Sequence, residues 1–184
     1  MLLNRPQQPY VAFTDFKFKT PSGRIELYKE ELVSYGAELP RYCEPIEASP
    51  DNPLHQRFPL TLIFAHSRHR IHSTFPNLPK FKQIEPEPTV EIHPADAAQR
   101  SISDHRLVRV YNERGSVCLK AQFNSDIKPG VVVISEGTWV KDFPEGDPYS
   151  LTHELVSPTS ENYAFFDTLV EIVAQPRASD DATV

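Results

Sequence analysis

Cysteine, glycine and long apolar runs are all scarce in this sequence. The two cysteines, Cys43 and Cys118, lie far apart and form no CxxC. That excludes a disulfide framework and a cysteine-ligated zinc or iron–sulfur site, and leaves buried or idle thiols. Only 6 glycines occur in 184 residues, and neither GxGxxG nor GxSxG is present. A glycine-rich nucleotide loop and a nucleophile elbow therefore have no support. No apolar run approaches the roughly 20 residues of a membrane-spanning helix. Residues 1–10 carry one Arg and no apolar core segment, so they do not read as a secretory signal. Cations are outnumbered: 19 Lys and Arg against 25 Asp and Glu give a net charge of −6. A net-acidic chain lacks the cationic footprint of a general nucleic-acid binder.

Proline, in contrast, is abundant. Its 18 copies are about twice the usual share and argue against a helical bundle, because proline breaks helix interiors. Short strands and ordered loops suit such a chain. The pattern predicts an extended, Pro- and aromatic-rich arm at the start. A short strand over 24–28 then leads into a short helix over 29–34, and irregular chain follows through 36–58. Strands are expected at 60–65, a continuous apolar run, and at 89–92. One or two helical turns fit 94–100, with Pro94 in the first position. Residues 107–112 and 117–123 read as a hairpin around Glu113, Arg114 and Gly115. Further strands are expected at 131–134 and 169–173, and a polar, disordered tail after Gln175. The implied organisation is an arm and lead-in over 1–55, a barrel over 56–175 and a tail over 176–184. Many short strands at this spacing indicate a barrel or sandwich.

Charge distribution says more than its total. Between residues 52 and 84 there is no Asp or Glu, while Arg57, Arg68, Arg70, Lys80 and Lys82 make the stretch +5. The rest of the chain is therefore −11, since −6 − 5 = −11. The centre of the stretch is 66–74, HSRHRIHST, directly after the apolar strand at 60–65. Strand-end loops are where sheets and barrels place ligands. A guanidinium presents a planar fork of donors matched to phosphate oxygens, and Ser, Thr and His add further donors. The chemistry most naturally served is binding of a phosphate-bearing anion such as a dinucleotide; the plain alternative is a solvated polar loop paired with carboxylates. A metal site at His66, His69 and His72 is disfavoured, because the spacing needs a helix and the interleaved Arg68 and Arg70 repel a dication. Glu85, Glu87 and Glu91 sit near prolines and read as a solvated rim.

Several stretches, taken in order, resemble one known family. They are 20–28 (TPSGRIELY), 58–62 (FPLTL), 70–73 (RIHS), 87–97 (EPTVEIHPADA), 108–115 (VRVYNERG), 127–132 (IKPGVV) and 137–139 (GTW). Together they resemble the C-terminal dinucleotide-binding domain of the molybdopterin oxidoreductases, the dimethyl sulfoxide reductase family, over about residues 18–174. None is specific alone; it is their order in register that carries the match.

The resemblance implies a mainly β fold, a double-psi β-barrel of the aspartate-decarboxylase-like kind with short connecting helices and an extended N-terminal arm. It implies that the chain binds molybdopterin guanine dinucleotide, carrying molybdenum or tungsten, with the metal ligand outside this chain. His66, Ser67, Arg68, Arg70, His72, Ser73 and Thr74 are the implied cofactor-binding residues of the 66–74 loop. Arg68, Arg70, His72, Ser73 and Thr74 would hold phosphate or pterin atoms, and His66 and Ser67 would shape the loop. Tyr149 stands where the family has a pterin-facing asparagine, and Asn162 is a substitute for it if the loop shifts. His105 and Glu161 stand where the family has glycines. The implied partners are an iron–sulfur electron-transfer subunit and the remaining domains of the catalytic polypeptide, so the chain is not expected to be catalytic alone. The resemblance leaves the location open: cytoplasmic, or periplasmic if an export signal lies on a preceding segment. The alternative is a non-catalytic interaction module that keeps the barrel but not the cofactor site.

Overall fold

The computed structural model describes residues 11–157, 159–163 and 166–176. Among the described residues, seven strands run in chain order as β1 (Leu60–Ala65), β2 (Thr89–Ile92), β3 (Leu107–Tyr111), β4 (Ser116–Phe123), β5 (Val131–Ser135), β6 (Glu145–Gly146) and β7 (Thr168–Ala174). Two short α-helices intervene, α1 (Pro79–Ile84) before β2 and α2 (Pro94–Gln99) after it. The sheet runs in the order β2-β5-β1-β7-β3-β4-β6, and a further β2–β4 pairing closes the first six into a ring. Two neighbour pairs are parallel, β1 with β5 and β2 with β4. The others in the ring are antiparallel. The mainly β barrel expected from the sequence is thus observed, and closure removes the exposed edges of an open sheet.

Alternation builds the core. In β1, Leu60, Leu62 and Phe64 are buried while their neighbours are half-buried. Val90 and Ile92 of β2, Val108 and Val110 of β3, Val117, Leu119 and Ala121 of β4, Val132 and Ile134 of β5, and Val170 and Ile172 of β7 complete the interior. Burying a Val, Leu or Ile side chain stabilises by about 1.5–3 kcal/mol. The short α2 is punctuated at its start by Pro94 and by His93, whose Nδ1 accepts the Ala95 N–H at 3.1 Å. Its buried Asp96 accepts the Gly130 N–H at 2.8 Å, which ties the helix to the turn that launches β5.

The chain divides into two compact units, the first Met1–Cys43 with Pro158–Ser160, the second the remainder. In the first unit, the strand expected over 24–28 is not formed. Ile25 and Leu27 alternate with polar residues as strand residues do, but both are exposed and pair with no neighbouring strand. The helix expected at 29–34 is present as a single 3-10 segment, Glu30–Tyr35, closed by Gly36 with φ 62°. Arg41 fastens that closure, donating to the Gly36 carbonyl at 2.6 Å and to Glu38 at 2.8 Å. In the second unit, the irregular stretch before β1 is interrupted by a 3-10 turn, Pro53–Gln56, capped by Asn52. The helix α1 has no counterpart among the expected elements; Pro79 opens it. The tail from 177 onward lies outside the described residues.

Candidate functional site

The parallel register of β1 and β5 builds the candidate site. Ala65 lies opposite Ser135, so the chains leaving both strands, at His66 and Glu136, start side by side. The Glu136 N–H donates to the Ala65 carbonyl at 2.9 Å and extends the ladder by one step. The basic loop 66–74 then turns back over the segment 136–139. Three features fix its path, one of them internal to the loop. Trp139 Nε1 donates to the Ser73 carbonyl at 2.9 Å. The Thr74 N–H and hydroxyl both reach the Ile71 carbonyl. Gly137, with φ 75°, leaves room for the His72 backbone, where a Cβ would overlap the His72 carbonyl oxygen.

Most polar side chains of the loop have identifiable partners. Ser67 Oγ donates to Glu85 Oε1 at 2.5 Å and accepts the His69 N–H at 3.0 Å. Arg70, with a side chain only 7% exposed, donates through Nε to Glu85 Oε2 at 2.8 Å and through Nη1 to Thr138 Oγ1 at 3.1 Å. Glu85 caps the end of α1, so that helix serves to anchor the loop. His66 and His72 both direct Nδ1 at Glu136 Oε1, at 2.9 and 2.6 Å. Arg68 is exposed and joins no ion pair or hydrogen bond among the described residues. Ser73 keeps its exposed side chain to solvent.

Two cavities adjoin this end of the barrel unit. A cavity of about 430 Å³ is lined by His69, Arg70, Lys82 and His105, together with Glu85, Glu87, Glu91 and Asp142. Its carboxylates outnumber its Lys and Arg, four to two, so its interior favours a cationic or neutral guest over a phosphate. The second, about 660 Å³, is lined by Arg114, Tyr149, Ser150, Thr152, His153, Glu154 and Tyr163. Tyr149 stacks on Phe64 of β1 with ring centroids 4.9 Å apart. Burial raises its phenol above the ordinary value of 10.0, and the carboxylates of Glu136 and Asp147 push the same way, against a hydrogen bond from Gly137 and the Arg70 charge. Tyr149 is therefore a neutral donor and acceptor at neutral pH. Asn162 is exposed, and its carbonyl accepts the Ser157 N–H at 2.8 Å.

The structure thus gathers His66, Ser67, Arg68, Arg70, His72, Ser73 and Thr74 on one loop and sets Tyr149 against the floor of the adjacent strand. Asn162 lies on a separate turn closed by the Val156–Tyr163 bridge. Glu85, Glu136, Thr138 and Trp139, which fix the loop, were not among the residues singled out from sequence as site residues. Only the barrel register and the short α1 bring them in.

Comparison with known proteins is consistent with this fold. A family model described as the molydopterin dinucleotide binding domain matches residues 60–169, from the first residue of β1 into β7. The chain is 34% identical over 152 residues to the dimethyl sulfoxide reductase DmsA of Escherichia coli, covering 73% of this chain and 18% of that protein. It is 32% identical over 185 residues to the dimethyl sulfoxide reductase DmsA of Haemophilus influenzae, covering 88% and 23%. A dimethyl sulfoxide reductase homologue from Halobacterium salinarum is 38% identical over 184 residues, covering 95% and 22%. Acetylene hydratase from Pelobacter acetylenicus shares the fold with a TM-score of 0.66 at 22% identity, over 90% of this chain and 25% of that one. The chain spans about a fifth of the length of these sequence relatives.

Proposed function

The chain belongs to the molydopterin dinucleotide binding domain family, and from that premise we propose that its 66–74 loop holds molybdopterin guanine dinucleotide as one part of a larger molybdenum or tungsten oxidoreductase. The donor set fits that group. The loop presents an unpaired guanidinium at Arg68, a second at Arg70 whose Nη2 is left over after two internal bonds, and the Ser73 hydroxyl. The dinucleotide carries phosphates, which such donors match. When bound, the group supplies the redox chemistry at its metal.

The chain's own residues divide the work. Arg68 and Ser73 face solvent and take the phosphate oxygens. Arg70 fixes the loop through Glu85 and Thr138 and offers its remaining donor to the same anion. Ser67 spends its hydroxyl on Glu85 and Thr74 on the Ile71 carbonyl, so both shape the loop. His66 and His72 hold the loop ends at Glu136. Tyr149 gives a neutral aromatic face on which a pterin packs, and Asn162 supplies an amide from the neighbouring turn. The acidic cavity beside Arg70 is a poor place for a phosphate, so the dinucleotide lies on the outer side of the loop. In this reading residues 1–55 form the lead-in and 56–175 the binding domain. The exposed Phe16, Leu27 and Tyr42 pack on the remaining domains of the catalytic polypeptide, and an iron–sulfur subunit completes the electron path.

The observation that carries the reading is the uncompensated Arg68 beside the internally braced Arg70. In the full catalytic protein, Arg68→Ala and Arg70→Ala are each expected to lower bound guanine nucleotide and molybdenum by about tenfold, the scale of one charge-assisted hydrogen bond. Nucleotide release on acid treatment and metal analysis measure this. Full occupancy in both variants would refute the proposal. The alternative, a barrel kept only as an interaction module, predicts no nucleotide in the wild-type protein and unchanged binding of its partner chain in both variants.

A further inference from the structure

We infer that His66, His72 and Glu136 form a binding site for a divalent transition-metal ion that clips the two ends of the basic loop to the start of the segment after β5. Their ligand atoms all lie within 4.8 Å of one another. Both imidazoles turn Nδ1 to the same carboxylate oxygen, at 2.9 and 2.6 Å, with ring centroids 4.9 Å apart. One oxygen facing two imidazole nitrogens needs either a proton on each nitrogen or one cation shared by all three.

The scaffold holds the set in place without the ion. His66 and Glu136 are neighbours because β1 and β5 are parallel and the ladder runs on to them. His72 returns to them because its backbone adopts φ 48° and rests on Gly137. Glu136 is firmly seated, its side chain 11% exposed, whereas both histidine side chains are 68% exposed and open to an incoming ion.

The ligand chemistry selects the class of metal. Two imidazoles and one carboxylate suit zinc, nickel, cobalt or copper, whereas magnesium and calcium prefer oxygen ligands throughout. Three protein ligands leave room for water in the remaining positions. Repulsion by the loop arginines, which weighs against a site built on His66, His69 and His72, is answered here. Arg70 is neutralised by Glu85, the third ligand is a carboxylate rather than His69, and the charge left at the exposed Arg68 is screened by solvent. The site is independent of the dinucleotide reading, because it needs only this chain's side chains.

The test is a titration of the tag-free, metal-stripped 184-residue chain with zinc against a chromophoric chelator. Cobalt absorption serves as a second probe of nitrogen and oxygen ligation. One equivalent is expected to bind, and His66→Ala, His72→Ala and Glu136→Gln are each expected to weaken it at least about tenfold, the loss typical of removing a ligand or its immediate support. His69→Ala serves as the control and should leave the affinity unchanged. His66→Gln covers the case in which His72→Ala disturbs the left-handed turn, and circular dichroism checks the fold of each. Zinc binding that survives both His66→Ala and Glu136→Gln, or that falls as far in His69→Ala, would overturn the site. So would the absence of one-equivalent binding in the wild-type chain.

Discussion

His105 illustrates how single residues carry the strain of this molecule. It stands at a turn where a glycine would be at ease, and its φ is 57°. The left-handed region costs an L-residue roughly 1–2 kcal/mol, because Cβ crowds the following carbonyl. Glu161, the other position where the resemblance expects glycine, also sits there, at φ 56°. Both positions adopt a conformation that glycine favours although neither residue is glycine. At residue 105 the surrounding bonds explain why: the His105 N–H donates to the Ala121 carbonyl at 2.9 Å, and Asp104 Oδ1 accepts both that N–H and the N–H of Phe123. These bonds hold the turn on β4 whatever residue occupies it. His105→Gly should therefore stabilise the chain. Relief of strain is partly offset by the greater freedom of the unfolded glycine, for a net gain of about 0.5–1 kcal/mol. Urea unfolding at neutral pH measures it, and a loss of stability would show that the imidazole, which lines the acidic cavity, contributes more than its backbone strain costs.

At the scale of elements, the loop after β1 depends on the segment after β5. Gly137 is the position where this dependence is sharpest. Its positive φ and the close approach of the His72 carbonyl leave no place for a Cβ. Gly137→Ala should lift the 66–74 loop from its seat and cost about 2–3 kcal/mol, the range of a steric clash combined with backbone strain. Amide exchange is the informative measurement. The 66–74 amides and the Trp139 indole should lose protection while β2, β3 and β4 keep theirs; uniform loss across the barrel would mean that the loop is no separate unit. The same loop shows what a sequence makes legible. The strands β1 and β5 are readable as mostly apolar runs with clear punctuation, β2 and β7 as short segments rich in β-branched and apolar residues, and the loop as a block of charge. Its partners are not, because Glu85, Glu136 and Thr138 reach it only through barrel register and the short α1. The strand expected over 24–28 errs in the opposite direction: Ile25 and Leu27 supply the alternation, but an alternating segment becomes a strand only where another edge accepts its hydrogen bonds.

At the scale of the second compact unit, one ion pair joins stretches that are remote in sequence. Glu47, in the irregular chain before β1, takes a two-pronged contact from Arg114 of the β3–β4 turn, at 2.7 and 2.8 Å. The same carboxylate accepts the Leu169 N–H at 2.6 Å, which ties it to β7. Arg114 also donates to the Leu151 carbonyl at 2.7 Å, and the Glu47 N–H reaches Asp167, which in turn holds the buried His153 at 2.7 Å. The Glu47 side chain is 8% exposed and that of Arg114 32%, so the carboxylate is the desolvated partner. Removing the arginine strands a buried negative charge, whereas removing both charges does not. Arg114→Ala should therefore cost about 3 kcal/mol, at the low end for a broken buried pair because the guanidinium is partly solvated. Glu47→Gln in the same background should recover part of that loss, giving a coupling energy of about 1–3 kcal/mol in the double-mutant cycle. Strict additivity of the two losses would mean that the pair contributes only its separate hydrogen bonds. A coupling in the expected range would show that the chain before β1, the β3–β4 turn and the start of β7 are tied energetically through Glu47 and Arg114, so that electrostatics adds to the apolar core in holding the barrel unit together.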